Sequence, residues 1–179
     1  MPAWSEQTTA LVKGEALEAK AGEYLKVHRL WADDDRVELA LDMRGRIVEA
    51  PDGNGFAAVL KGPIVLAMDS RLVPAAESIR VRTSLDRSMG WPLPLMLDPE
   101  IPRQFGVLLG VETPFVVDGQ KKMFILCDFA SAGKLYSERN LFRTYLPPAL
   151  NMGKAYDTGV TWQKLTINPV PTRPRAPGK

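Results

Sequence analysis

Apolar and polar residues alternate along much of this chain with a period of two, which predicts β-strands. The segment 37–43 places an apolar side chain at every second position and predicts a half-buried strand. The segments 64–68 and 123–127 are apolar without alternation, as in strands that are buried on both faces. Further strands are predicted at 10–12, 16–19, 24–31, 56–60, 79–83, 105–111 and 162–167.

Turn-forming residues join several of these strands into antiparallel hairpins. Asp118-Gly119 is a strong hairpin signal because both positions tolerate positive φ, although the spacing to Met123 predicts a loop longer than two residues. The acidic run 32–36 separates the segments 24–31 and 37–43, and we expect those two strands to pair. Helix signals are few, since a helical turn begun at 141–145 would end at Pro147-Pro148.

Glycine and proline occur throughout the chain, 14 and 15 times. The pattern predicts an all-β fold, an antiparallel β-sandwich built as one unit or as two packed β modules. Residues 84–102, which contain Pro92, Pro94 and Pro99, predict a connector between a module at 1–83 and a second at 103–167. The proline-rich residues 168–179 predict a disordered C-terminal tail, because proline cannot donate to a strand ladder.

The charge of the chain narrows the choice of partners. Its 23 basic and 21 acidic residues give a net charge of +2 and form no basic stripe, which predicts neither nucleic-acid nor membrane binding. No apolar run approaches the roughly 20 residues that cross a bilayer. The start lacks a signal peptide, but we expect the N-terminus to be truncated, so cytoplasm, periplasm and secretion all stay open.

Chemistry-bearing residues are sparse. The single histidine, His28, lies in a predicted strand, and no Gly-x-Ser-x-Gly elbow accompanies it. The single cysteine, Cys127, excludes an internal disulfide and is expected to be a small buried hydrophobe. The run 33–35 lacks the ligand spacing of an EF-hand and predicts a solvated turn. Glycosidic cleavage needs two facing carboxyls, and spacing marks no pair among Asp98, Glu100, Glu112, Asp128, Glu138 and Asp157.

Tryptophan is the residue type best suited to sugar contact here, because its ring covers the apolar face of a pyranose or furanose. Trp91, between Gly90 and Pro92, is the best candidate, and Trp31 and Trp4 are further candidates for sugar or domain-interface contacts. The competing interpretation is packing, which we favour for Trp162 and Trp31 beside their strands and also for Trp91.

Seven segments, in a constant order, resemble a known family. They read Pro-Ala-Trp-Ser, Val-Lys-Gly-Glu, a Gly-Glu-Tyr-Leu…Arg-Leu-Trp strand, an Asp-Arg-Val strand, Leu-Lys-Gly-Pro-Ile-Val, Asp-Phe-Ala-Ser-Ala-Gly and Phe-Arg-Thr-Tyr-Leu-Pro. This order resembles the region that follows the catalytic barrel in glycoside hydrolase family 127, the β-L-arabinofuranosidase-like proteins. One departure is Lys13, where the family usually has Asn. The segments occupy 2–5, 12–15, 22–31, 35–44, 60–67, 127–133 and 142–147.

The resemblance implies an (α/α)6 barrel followed by β-sandwich modules, with the catalytic Glu and a zinc-bound Cys cluster on the barrel. This chain has one cysteine and no barrel pattern, so we expect no catalytic residue and no cofactor in it. The leading hypothesis is an inactive C-terminal fragment whose partner is the barrel of the same parent. The alternatives are an independent module that binds plant-type or arabinose-containing glycans, and a self-contained enzyme that uses Asp98 and Glu100. We also expect self-association through an exposed strand edge.

Overall fold

The computed structural model describes residues 1–74, 82–134 and 141–156. Its regular structure is almost entirely short strands in antiparallel pairs, which confirms the all-β prediction. The predicted strand 162–167 and the predicted tail lie outside the described residues, as do Trp162, Glu138 and Asp157. The elements are β1 (Thr9–Val12), β2 (Glu15–Leu17), β3 (Val37–Ala40), β4 (Gly45–Glu49), β5 (Ala57–Lys61), β6 (Ile64–Asp69), β7 (Arg82–Leu85), α1 (Ile101–Phe105), β8 (Gly110–Val117), β9 (Gln120–Asp128), β10 (Phe142–Arg143), β11 (Tyr145–Leu146) and β12 (Leu150–Asn151).

A three-stranded sheet in the order β2-β1-β3 begins the chain. β1 and β2 overlap the predicted strands 10–12 and 16–19 and form a hairpin around Lys13 and Gly14, both of which have positive φ, 51° and 82°. β3 pairs with β1, in the register that sets Ala10 opposite Leu39. The prediction that β3 pairs with a strand at 24–31 is therefore wrong.

The segment 21–36 has no strand, and the carboxylate of Asp35 joins it to the β1–β2 turn. The side chain of Asp35 is 1% exposed and lies 2.5 Å from the ammonium of Lys13 and 3.3 Å from the guanidinium of Arg29. Asp35 also accepts a hydrogen bond from the backbone N–H of Ala32. The predicted solvated turn at 33–35 is exposed at Asp33 and Asp34, but the Asp35 side chain is buried and paired with partly exposed cations, which the run of acids did not indicate.

A larger sheet runs in the order β11-β5-β6-β9-β8-β7-β12, with β4 beside β5 and β10 beside β6. Asp118 and Gly119 close the β8–β9 hairpin with φ of 47° and 80°, and Val117 pairs directly with Gln120. The loop is therefore two residues long. The longer loop expected from the sequence was wrong, because β9 begins with polar, exposed residues before its apolar run.

The main core lies on one side of this sheet. Leu146 of β11 and Leu150 of β12 come from opposite ends of the strand order, yet both belong to the same buried cluster. The sheet therefore curves around its own core, as the two faces of a sandwich do. Fully buried members of the cluster include Val59, Leu66, Met68, Val111, Phe115 and Leu126.

The predicted connector 84–102 is mostly irregular and touches both halves of the chain. Single bridges join Leu93 to Gly45 and Leu97 to Val111, and Leu95 is buried at 5% exposure. The larger sheet contains strands from both predicted modules, and the module boundaries stay a prediction.

The segment 141–145 contains β10 and the first residue of β11, and the helical turn considered from the sequence does not form there. No helix in the described ranges has the length and apolarity to cross a bilayer.

Candidate functional site

A buried carboxylate at the end of β9 organises the segment that carries the Asp-Phe-Ala-Ser-Ala-Gly sequence. Asp128 is 3% exposed and accepts hydrogen bonds from the backbone N–H groups of Leu108 and Leu109, at 3.1 and 2.9 Å. Its second oxygen accepts from the N–H and the hydroxyl of Ser131, at 2.9 and 2.8 Å. Asp128 therefore caps the 3₁₀ turn Phe129–Ser131 and holds it beside the loop that precedes β8.

A second buried carboxylate supports the same turn from the other side. Asp69, with no exposed surface, receives two hydrogen bonds of 2.9 Å from the guanidinium of Arg71 and one of 3.0 Å from the N–H of Gly133. Arg71 also donates to the carbonyls of Phe105 and Ser131. Burial raises the pKa of Asp69, but the hydrogen bonds from Arg71 and Gly133 outweigh it and hold that pKa below its usual value.

These two carboxylates position an apolar groove on the surface, which we call the β6–β9 groove. Its volume is about 560 Å³, and apolar side chains supply most of its wall. Leu108 is 70% exposed and Phe129 is 52% exposed, which is unusual for two neighbouring large apolar side chains. The groove is lined by Pro63, Ile64, Val65, Leu108, Leu109, Asp128, Phe129 and Ala130.

The tryptophans named as candidates have different surroundings. The indole N–H of Trp91 donates to the carbonyl of Asp86 at 3.2 Å, and its ring packs against the main core. The Trp4 ring is partly buried and lies over Gly62 together with Met43. Trp31 is 52% exposed, and the guanidinium of Arg29 lies 5.4 Å from its ring centroid. A role for any of the three in sugar contact stays a prediction.

His28 lies on an irregular segment and is exposed, not in the middle of a strand. It lines a second groove of about 510 Å³ between the segment 26–30 and the β1–β2 hairpin. Cations and apolar side chains share this groove with one acid, Glu15.

The candidate carboxyl pair for glycoside cleavage does not form a recognisable site. Both carboxylate oxygens of Asp128 accept hydrogen bonds from the backbone. Asp98 accepts from the backbone N–H of Glu100, as in an ordinary turn. The N–H of Glu112 donates to the carbonyl of Met96 and the N–H of Asp98 donates to the carbonyl of Gly110, so Asp98 and Glu112 lie on paired, neighbouring segments. Neither carboxylate lines a groove described here.

The zinc that the resemblance implies for the barrel finds no matching donor set in the described part of this chain. Cys127 is fully buried, and burial raises the pKa of its thiol to about 12, so the thiolate that binds zinc is disfavoured. Residues 1–74, 82–134 and 141–156 contain no group of three or more His, Cys, Asp or Glu that could hold a metal ion.

Comparison with known proteins gives one match to a family model. Residues 1–43 match the model described as "Beta-L-arabinofuranosidase, GH127 middle domain". No curated protein matches this sequence.

Solved structures share the fold at low sequence identity. One titled "Glycoside hydrolase" matches with a TM-score of 0.55 and 17% identity, over 82% of this chain and 26% of its own. A GH127 beta-arabinofuranosidase matches with a TM-score of 0.47 and 18% identity, over 79% of this chain and 23% of its own. This chain spans about a quarter of the length of the first of these proteins. The family-model match confirms the predicted resemblance: residues 1–43 are like a region of glycoside hydrolase family 127, and the match with a TM-score of 0.55 supports the antiparallel β fold.

Proposed function

We propose that this chain is a non-catalytic β portion of a β-L-arabinofuranosidase-like glycoside hydrolase and that it supports a catalytic barrel. The observation that carries the proposal is the match of residues 1–43 to the middle domain of family GH127.

The β6–β9 groove is the surface we assign to the barrel. Removing water from a groove lined almost entirely by aliphatic and aromatic groups costs little free energy. Burying its apolar surface is favourable by about 25 cal/mol per Å². Its geometry is set by buried hydrogen bonds to Asp128, so it is held ready for a partner. Preorganisation of this kind lowers the entropy cost of docking.

Binding to a barrel supplied as a separate protein tests this proposal. The purified chain is mixed with the catalytic barrel of a GH127 protein, and calorimetry measures the affinity. We expect saturable binding that the double change Leu108→Gln, Phe129→Gln weakens at least tenfold. Glutamine is chosen because an acid would stand beside Asp128. Met123→Gln, at a residue that is 50% exposed and does not line the groove, is the matched control.

The purified chain alone is expected not to hydrolyse an aryl arabinofuranoside. Hydrolysis that Glu100→Gln abolishes, in a preparation free of other glycosidases, would overturn the proposal in favour of a self-contained enzyme. Absence of binding to the barrel by the folded wild-type chain would remove the supporting role.

An independent glycan-binding module is the second candidate, and the exposure of Trp31 favours it. The ring is half-exposed, and it directly follows the segment 26–30 that lines the 510 Å³ groove. Titration with arabinose-containing oligosaccharides separates the two candidates. Binding that Trp31→Ala removes and Trp4→Ala leaves intact supports the module; no binding by the wild-type chain eliminates it.

A further inference from the structure

β3 is an edge strand with an open outer side. β1 pairs with its inner side, and no strand within 1–74, 82–134 or 141–156 pairs with the other. All four of its residues are exposed, including Val37 at 46% and Leu39 at 48%. An apolar, unpaired edge of this kind is a template for another strand.

The β1–β3 ladder determines which backbone groups of β3 face outward. The N–H of Lys13 donates to the carbonyl of Arg36, and facing residues of an antiparallel ladder alternate between bonded and non-bonded pairs. Residues 36, 38 and 40 therefore turn their backbone groups toward β1. Residues 37, 39 and 41 turn theirs toward the open edge.

We propose that two copies of this chain associate by antiparallel pairing of β3 with β3, about a two-fold axis at Leu39. The two three-stranded sheets would then join into one continuous sheet. The outward N–H and C=O groups of Leu39 would bond to those of Leu39 in the second copy. This inference does not depend on the proposed function.

Charge complementarity selects this register from its neighbours. Two residues that face each other across a strand pair have side chains on the same face of the sheet. Because neighbouring residues of β3 lie on opposite faces, the two-fold axis must set one residue opposite its own copy. The central choices for that residue are 38, 39 and 40. An axis at 38 sets Glu38 against Glu38, and an axis at 40 sets Arg36 against Arg44. An axis at 39 sets Glu38 against Ala40 and Val37 against Leu41, so no like charges face each other within β3.

Cysteine oxidation tests the register. Leu39→Cys places two thiols directly opposite each other, with Cβ atoms about 5 Å apart. Glu38→Cys and Ala40→Cys place each thiol diagonally to its counterpart, farther apart. We expect copper-phenanthroline oxidation to give a covalent dimer at least ten times faster for Leu39→Cys than for either neighbour. The wild-type chain, whose thiol is buried, serves as the blank.

Sedimentation across a concentration series tests the association itself. We expect the wild-type chain to form a dimer. Leu39→Lys should make it monomeric, because two ammonium groups would meet on the axis. Ala40→Lys is the matched control: it adds the same charge to the same strand but sets it against Glu38 of the second copy, so the dimer should persist. Circular dichroism confirms that each variant is folded.

A folded wild-type chain that stays monomeric at the highest concentration overturns the proposal. Loss of the dimer in Ala40→Lys with retention in Leu39→Lys overturns the register, as does faster cross-linking at 38 or 40 than at 39.

Discussion

The guanidinium of Arg71 binds both carboxylate oxygens of Asp69, two residues earlier in the chain, and both bonds are 2.9 Å long. Asp69 ends β6 and is completely buried, while Arg71 reaches past it to the carbonyls of Phe105 and Ser131. One ion pair thus ties β6 to the helix α1 and to the turn after β9. The bidentate geometry explains why a charged pair is tolerated at this depth.

Arg71→Leu should destabilise the fold strongly. The change leaves the carboxylate of Asp69 buried without its cation, a situation that costs about 3–5 kcal/mol. Urea unfolding measures the loss. Arg103→Ala, at an exposed position of α1, is the control and should change the free energy of unfolding by less than about 0.5 kcal/mol. Equal losses of unfolding free energy in the two variants would show that the Asp69–Arg71 ion pair does not stabilise the fold.

Acid should weaken the fold through a second pair, Asp42 and Arg44. Hydrogen bonds from the side chain of Arg44 lower the pKa of Asp42 to about 2, against 3.8 for an unperturbed carboxyl. Because the folded pKa is the lower one, the stabilisation is complete above about pH 4 and is lost as the pH falls toward 2. The difference in unfolding free energy between wild type and Asp42→Asn should therefore shrink across that interval.

The matched control for this experiment is Glu18→Gln. The Glu18 side chain is 80% exposed and meets only Lys20, at 3.3 Å. An exposed pair of this kind contributes little to stability, so we expect a small, nearly pH-independent difference. A difference for Asp42→Asn that stays constant from pH 7 to pH 2 would show that the carboxylate does not act through its charge.

Local sequence signals predicted many of the strands but not all of their partners. The segments 24–31 and 106–109 form no strand, contrary to prediction, and β4 was not predicted. The alternation at 37–43 and the Asp118-Gly119 dipeptide report local backbone preference, and both mark real elements. The pairing of β3 with β1, and not with the segment 24–31, joins residues far apart in the chain, as does the contact between Asp35 and Lys13, 22 residues apart. Periodicity carries no information about contacts at that separation.

The candidate site shows the same limit. Sequence resemblance singled out the segment 127–133, but only the structure shows that Asp128 holds Leu108 and Leu109 in place and so creates the β6–β9 groove. Trp91, which stands between glycine and proline, was the best candidate for an exposed ring, although packing was the favoured interpretation for it. The structure agrees with packing, because the indole N–H donates to the carbonyl of Asp86 and the ring packs on the core. A pattern of turn residues does not identify these partners.

Gly133→Ala should destabilise more than Gly53→Ala, although both glycines have positive φ, 66° and 72°. A Cβ at Gly53 meets nothing within 4 Å, so only the left-handed backbone costs about 1–2 kcal/mol. A Cβ at Gly133 would lie 2.6 Å from the ring of Phe142, which itself contacts Phe129. Overpacking adds about 1–3 kcal/mol there. Thermal unfolding of the two variants compares these costs, and equal shifts would mean that the Phe142 ring moves aside freely.

Cys127 should react with a disulfide reagent only when the fold opens. The thiol is fully buried, and its pKa is raised to about 12, chiefly by burial. At pH 8 the native chain should therefore label at the rate of opening, whereas the urea-unfolded chain labels at the rate of a free cysteine. Leu126→Ala removes a fully buried neighbour from β9 and costs about 2–5 kcal/mol, so it should speed native labelling markedly. The variant Leu30→Cys, at a residue that is 96% exposed, supplies the exposed comparison, since its added thiol should react at once while Cys127 stays protected. Immediate labelling of the folded wild-type chain would contradict the burial of Cys127 between the two sheet neighbours of β9.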